Sequence, residues 1–146
     1  MITRTALHDG CVLLLVFLAQ SACAPAAVGT WSATVVSTET AGAPPEALED
    51  SYDVEAVVST SFLEPSGSCA VSATIGGLGA LEVGGGAGCE GEGFNALFTS
   101  TEPLDLELPD EATVRIEGTT GKMTMEIEGI EAAWTRKYSG DAVHEP

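Results

Sequence analysis

The sequence predicts an all-β domain, and within that class a single antiparallel up-and-down β-barrel of about eight strands. From Gly29 onward every second residue tends to be apolar, which is typical of strands that bury one face and expose the other. Breaks rich in glycine and proline separate these runs at the short spacing of all-β domains. No segment carries the longer apolar period of an amphipathic helix. A β-sandwich is the alternative, because it uses the same alternation.

The predicted strands follow one another along the chain after Gly29. In each of them apolar side chains alternate with side chains that are mostly carboxylates or hydroxyls, which indicates an apolar inner face and a wet outer face. They span residues 31–36, 52–58, 69–75, 80–83, 104–108, 114–117, 123–128 and 130–135.

The connections between strands are predicted from turn-forming residues. Gly118–Gly121 and Gly76–Gly79 each separate two alternating runs, which indicates hairpins. Leu108–Glu111 is predicted to be a tight connection, and Ala41–Asp50 a longer loop.

Two segments are expected to lack regular structure. Gly84–Gly88 is predicted to be a flexible link that lets Cys89 approach Cys69. Ser139–Pro146 is predicted to be a disordered tail, so the β domain is expected to span residues 29–138.

Residues 1–22 carry the features of a secretory signal peptide. Arg4 lies in the short first part, and Cys11–Ala19 form an unbroken apolar run that small residues follow. This run is too short to cross a bilayer, which takes about 20 residues. We therefore expect residues 1–22 to be removed and the protein to be exported.

The end of this segment resembles the lipobox of bacterial lipoprotein signal peptides, in which small and apolar residues precede a cysteine. The matching residues are Leu18, Ala19, Ser21, Ala22 and Cys23. The resemblance implies that Cys23 becomes the mature N-terminus, carries fatty acid such as palmitate, and leads into a short tether over residues 23–28. The resemblance also implies that the residue after the lipidated cysteine directs sorting, and Ala24 at that position favours the outer membrane of the bacterial cell envelope.

Ordinary signal cleavage after Ser21 or after Ala26 is the alternative to lipidation. Gln20 departs from the lipobox pattern, in which that position is usually apolar or small. Cleavage without lipidation would give a secreted or periplasmic protein.

Cysteine arithmetic predicts one disulfide bond. The chain has four cysteines; Cys11 leaves with the signal peptide, and if Cys23 carries lipid as the resemblance implies, Cys69 and Cys89 remain as a pair. An exported chain meets oxidising conditions, and closing a loop of this size stabilises a fold by about 3 kcal/mol. A zinc site is less favoured, since His144 is the only further ligand of the usual type in the mature chain.

Charge excludes some classes of partner. The formal net charge is −17 at pH 7. The positive residues beyond the signal peptide are Arg115, Lys122, Arg136 and Lys137. They form no basic patch that would bind nucleic acid, and anionic lipid headgroups should repel the domain. The densest acidic run, residues 46–55, lacks the spacing of a calcium-binding loop and is expected to be a solvated face.

Two motifs resemble the calycin, or lipocalin-like, barrel family. Gly29-Thr30-Trp31 opens the first predicted strand, and Trp134-Thr135-Arg136 closes the last. The resemblance implies that Trp31 plugs one end of the barrel and that Arg136 covers the indole as a lid. Ordinary core packing of both tryptophans in a β-sandwich is the alternative.

The same resemblance implies that a small apolar ligand binds inside the barrel. Met123, Met125 and Trp134 are the predicted lining residues, because methionine side chains adapt to irregular shapes. The alternative is that these side chains simply fill the core.

The chain also resembles bacterial protease-inhibitor lipoproteins built on a small barrel. The shared features are an early Trp31 and a disulfide of similar loop size, here Cys69–Cys89, whereas the stretch between Trp31 and Cys69 is longer than in that family. This resemblance implies a protein partner bound through the loops. A structural envelope protein is a further alternative.

The sequence favours a non-enzymatic protein without a cofactor. His8 leaves with the signal peptide, and His144 lies in the predicted tail, so no Ser-His-Asp triad is expected. No pair of carboxylates stands out for acid–base chemistry.

Overall fold

The computed structural model describes residues 26–46, 48–60, 68–89, 91–99 and 112–146. Within these ranges the chain forms eight β-strands. They are β1 (Gly29–Gly42), β2 (Ser51–Ser59), β3 (Ser68–Ile75), β4 (Gly79–Gly88), β5 (Phe94–Thr99), β6 (Thr113–Thr119), β7 (Lys122–Glu128) and β8 (Trp134–Glu145). Each strand pairs antiparallel with the next, and β8 pairs with β1, so the sheet closes into a barrel. The predicted up-and-down barrel is confirmed, and the β-sandwich is excluded.

Alternating side chains explain why these segments form strands with one buried face. Every second residue of β2, β6 and β7 is buried, and the residues between are exposed or half-buried. The buried ones are Tyr52, Val54, Ala56, Val58, Val114, Ile116, Gly118, Met123, Met125 and Ile127. Removing these side chains from water, at about 1.5–3 kcal/mol for a large one, favours the closed sheet.

The two ends of the barrel are built from different residues. We call the end at which β1 begins the tether end, and the end at which β1 finishes the clamp end. The tether end contains Ala27, Trp31, Cys69, Cys89, Phe94 and His144. The clamp end contains Leu48, Glu49, Tyr52, Arg136 and Tyr138. Because neighbouring strands are antiparallel, β8 begins at the clamp end and finishes at the tether end.

The predicted disordered tail at Ser139–Pro146 is wrong. β8 continues to Glu145, which lies opposite Thr30 in β1, and the β domain extends beyond its predicted boundary at residue 138. The two strands approach so closely that a Cβ on Gly140 would collide with the carbonyl oxygen of Thr34. The small residues that suggested disorder are therefore what close strand packing requires.

The fourth and fifth strands also differ from the prediction. The predicted flexible link Gly84–Gly88 is the second half of β4. Glycine has no side chain to pack, yet its backbone still enters a sheet. β5 (Phe94–Thr99) was not predicted, and the predicted strand over residues 104–108 lies outside the described residues.

The predicted strand over residues 130–135 begins later than expected. Ile130–Ala132 form a short 3-10 turn, in which Glu131 and Ala132 have φ values of 55° and 56°. Left-handed backbone of this kind cannot continue a strand, so β8 starts only at Trp134. No helix in the described ranges is long and apolar enough to cross a membrane.

Candidate functional site

Trp31 fills the tether end of the barrel. Its side chain is 1% exposed, and Nε1 donates a hydrogen bond to the carbonyl oxygen of Ala27 at 2.8 Å. Its ring packs edge-on against Phe94, with centroids 5.3 Å apart. The indole is thus fully enclosed, and its one polar atom is satisfied by the segment that precedes β1.

His144 covers Trp31 from the last strand. The two rings lie nearly parallel, with centroids 4.1 Å apart. Nε2 of His144 lies 2.9 Å from the carbonyl oxygen of Val28, and since a carbonyl only accepts, this nitrogen carries the hydrogen. Sequence reasoning placed His144 in a disordered tail and missed this role. Trp31 and His144 together hold the Ala27–Val28 segment against the tether end.

The predicted disulfide is confirmed at the same end of the barrel. Cys69 and Cys89 are bonded, with Cα atoms 5.9 Å apart and exposures of 0% and 3%. The bond joins the second residue of β3 to the residue that follows β4. Cys23, the predicted lipidation site, lies outside the described residues.

Arg136 lies at the opposite end of the barrel, so the prediction that it covers Trp31 is wrong. In the sheet Arg136 pairs with Thr40, whereas Trp31 pairs with His144. The reason is strand direction: a residue near the start of an antiparallel closing strand meets the end of the first strand. His144, near the end of β8, occupies the place that the resemblance assigned to an arginine.

The Arg136 guanidinium holds the chain between β1 and β2 against the clamp end. It donates hydrogen bonds to Ser37 Oγ at 3.1 Å and to the carbonyl oxygen of Leu48 at 3.2 Å, and forms an ion pair with Asp50. It also lies 5.6 Å from the centroid of the Tyr138 ring. Because Leu48 is only 5% exposed, this connection carries an apolar side chain into the barrel mouth.

The only two tyrosines of the chain both form hydrogen bonds with the backbone of Glu49. Tyr52 Oη accepts a hydrogen bond from the Glu49 N–H at 2.7 Å, and Tyr138 Oη donates one to the Glu49 carbonyl at 2.8 Å. The two rings pack edge-to-face, 5.5 Å apart. We call Tyr52, Arg136 and Tyr138 the clamp. Sequence reasoning missed the two tyrosines, because they bind backbone atoms of Glu49 that leave no trace in residue identity.

Burial keeps both phenols protonated. It raises the pKa of Tyr138 to about 12, although the nearby Arg136 guanidinium acts in the opposite direction. It also raises the pKa of Tyr52, against the lowering effect of the hydrogen bond from Glu49. The two phenols therefore supply neutral hydrogen-bonding groups at physiological pH rather than a nucleophile or a base.

Two of the three predicted ligand-lining residues are packed into the barrel core. Met123 and Met125 are both 0% exposed and belong to the hydrophobic core cluster. Trp134 is half-buried at the edge of the clamp end, where its indole lies so close to Gly129 that a Cβ on that glycine would overlap it.

Three of the depressions in the barrel surface are bounded by described residues. The first, of about 540 Å³, lies beside Gly88 and Phe94, and the second, of about 500 Å³, between Arg115 and Lys137. The third, of about 620 Å³, includes Val143. Among the described residues no three acidic, histidine or cysteine side chains are placed to hold a metal ion.

No family model, curated protein or solved structure matches this chain.

Proposed function

We propose that the chain is an exported, lipid-anchored protein of the bacterial envelope that binds a protein partner, without catalysis, through its clamp end. The observation that carries this proposal is the fixed path of the segment before β1. Trp31 Nε1 binds the Ala27 carbonyl and His144 Nε2 binds the Val28 carbonyl, so the chain leaves the barrel at one defined end. An anchor on Cys23 would therefore hold the tether end, and not the clamp end, near the membrane.

The distance available to the anchor supports this orientation. Only Ala24 and Pro25 separate Cys23 from Ala26, the first described residue. Even a fully extended chain covers at most about 11 Å between the Cα atoms of Cys23 and Ala26. The tether end then lies next to the lipid, and the clamp end is the part of the barrel free to meet another protein.

The packed interior supports binding through the surface rather than inside the barrel. Met123 and Met125 are both 0% exposed, so an apolar ligand that reached them would have to displace neighbouring core side chains. A protein partner bound at the clamp end requires no such rearrangement. Binding of a small apolar ligand inside the barrel is the alternative, and the cross-linking experiment below distinguishes it from a protein partner.

Mass spectrometry of the native protein extracted from its own membranes tests the proposal. The expected mass is that of the chain from Cys23 plus fatty acyl groups, less two hydrogens for the disulfide. Cys23→Ser should abolish the acyl mass, whereas Cys11→Ser, a matched change inside the signal peptide, should leave it intact. An unlipidated chain starting after Ser21 or Ala26 would overturn the anchor.

Chemical cross-linking in intact cells tests the mode of binding. A photoreactive residue at exposed Glu49 should capture one defined protein, and the same residue at exposed Thr120, at the other end, should not. A small molecule released from the purified barrel, without a cross-link at Glu49, would favour the internal ligand and contradict the partner.

A further inference from the structure

We infer that the rim of the tether end beside β1, formed by Thr30, Val57 and Val143, lies against the lipid surface that holds the anchor. We call these three residues the rim patch. The inference rests on the proposed lipidation of Cys23 and adds to it a protein surface that contacts lipid.

Two of the four exposed large apolar side chains in the described ranges lie in the rim patch. Val143 is 63% exposed and Val57 is 44% exposed. In the sheet Val57 lies opposite Thr30 in β1, and Val143 lies opposite Ser32, two residues further along the same strand. The two valines thus flank the first residues of β1 on the outer face of the barrel.

Val143 projects beyond the neighbouring hairpin. β7 begins at Lys122, which pairs with Asp141, so the last residues of β8 continue past the start of β7. Ala142 N–H bonds to the Gly121 carbonyl at 3.0 Å, which closes the ladder there. Val143 therefore lies at the edge of the barrel, where it would contact a lipid surface that faces the tether end.

The tether ends at the rim patch. Gly29, which directly precedes Thr30, lies against the backbone of Glu145 so closely that a Cβ would collide with it. The chain from this point to Ala26 is fixed by Trp31 and His144, and Cys23 is no more than about 11 Å beyond Ala26. A lipid on Cys23 would enter the bilayer within about 11 Å of Ala26, at the same end of the barrel as the two valines.

The charges around the rim patch are mixed. Glu145 and Glu55 flank it on β8 and β2, and Asp141 and Lys122 lie beside it at the start of β7. These carboxylates oppose approach to anionic lipid, so we expect only the valine side chains to enter the bilayer. The patch then sets the tilt of the barrel and adds little to the strength of anchoring.

The size of the patch favours lipid over a second copy of the chain. A stable protein interface buries about 800 Å² on each partner, which two half-exposed valines cannot supply. Contact with a bilayer needs no such area, because the tether already holds the patch at a high effective concentration near the lipid.

Spin-label accessibility in the lipidated full chain tests the inference. The protein is reconstituted into vesicles of phosphatidylethanolamine and phosphatidylglycerol, with a label on Ser32→Cys between the two valines or on exposed Ser51→Cys nearer the clamp end. Dissolved oxygen reports contact with lipid, and a polar nickel chelate reports contact with water. We expect a several-fold higher ratio of oxygen to chelate collisions at position 32 than at position 51.

Two double variants decide the cause of that difference. Val57→Ser with Val143→Ser should bring the ratio at position 32 down to that at position 51. The matched control, Val36→Ser with Leu97→Ser, removes two valine-sized or larger side chains that are 49% and 45% exposed away from the patch, and should leave the ratio unchanged.

The outcomes separate this inference from the proposed function. Protein that lacks acyl mass and does not float with vesicles overturns the anchor itself. Lipidated protein that floats, but whose label at position 32 is as accessible to the chelate as the label at position 51, overturns the rim patch alone. An equal response to both double variants also overturns it.

Discussion

The indole of Trp31 and the imidazole of His144 are stacked with their planes 13° apart, which joins the first strand of the barrel to the last. Trp31 comes from the start of β1 and His144 from the end of β8. The stack therefore closes the tether end and fixes the segment before β1 in one contact. Its two members should make separable contributions to stability.

Trp31→Ala should destabilise the fold by about 3–5 kcal/mol, because it removes a fully buried aromatic side chain and leaves a cavity. The free energy of unfolding from urea titration measures the effect. Trp134→Ala is the control, and its loss should be clearly smaller because Trp134 is only half-buried. Equal losses for the two variants would contradict the role of Trp31 as a plug.

His144→Ala should destabilise the fold by about 2 kcal/mol, from one ring stack and one hydrogen bond to Val28. Val143→Ala, at the next position on the outer face, should change the free energy of unfolding by less than about 0.5 kcal/mol. If His144→Ala leaves the free energy of unfolding unchanged, the end of β8 frays in solution. Amide hydrogen exchange at Ala142 and His144 would show the same fraying directly.

Gly140→Ala should be strongly destabilising, because the new Cβ would meet the backbone carbonyl of Thr34. Gly88→Ala is the matched control, since a Cβ there has no atom within 4 Å. Thermal unfolding followed by circular dichroism compares the two. A stable Gly140 variant would mean that β1 and β8 are further apart than described.

Stability should fall at alkaline pH through Tyr138. Its pKa is about 12 in the folded protein and about 10.0 in a free phenol, so the folded state keeps a proton that the unfolded chain releases. The stabilising contribution is complete below about pH 10 and is lost as the pH rises towards 12, by up to roughly 3 kcal/mol.

Tyr138→Phe should flatten this alkaline loss while lowering stability near neutral pH by about 1 kcal/mol, because the hydrogen bond to Glu49 is absent. The residual slope should come from Tyr52, whose pKa burial also raises. Urea titrations at several pH values measure both effects. An unchanged slope in the variant would show that Tyr138 titrates like a free phenol.

The strands that sequence analysis predicted well are those whose alternation is uninterrupted. Residues 52–58 and 123–128 place apolar side chains at every second position, and the structure buries those positions. Alternation alone defines which face of each strand is buried, so the barrel and its core could be predicted from the sequence.

The end of β8 could not be predicted in this way. Gly140 and Asp141 are turn-forming residues in most contexts. Their strand conformation depends on β1, which is distant in sequence, and on a backbone approach that only glycine permits. Pairing between remote strands leaves no local pattern to detect.

The clamp was inaccessible for a different reason. Tyr52 and Tyr138 act on the peptide groups of Glu49, and any residue there would offer the same N–H and carbonyl. Arg136 was singled out from the sequence, but the direction of β8 assigns it to the end opposite Trp31.

The pairing of β1 with β8 also determines when this protein can fold. Thr30 meets Glu145, so the first strand gains its second neighbour only when the end of the described chain is present. Folding is slow when contacts join residues far apart in sequence, because long loops must close before the contacts form. While the chain is being synthesised, β1 keeps an unpaired edge until β8 arrives, and the chain is most exposed to aggregation during this period.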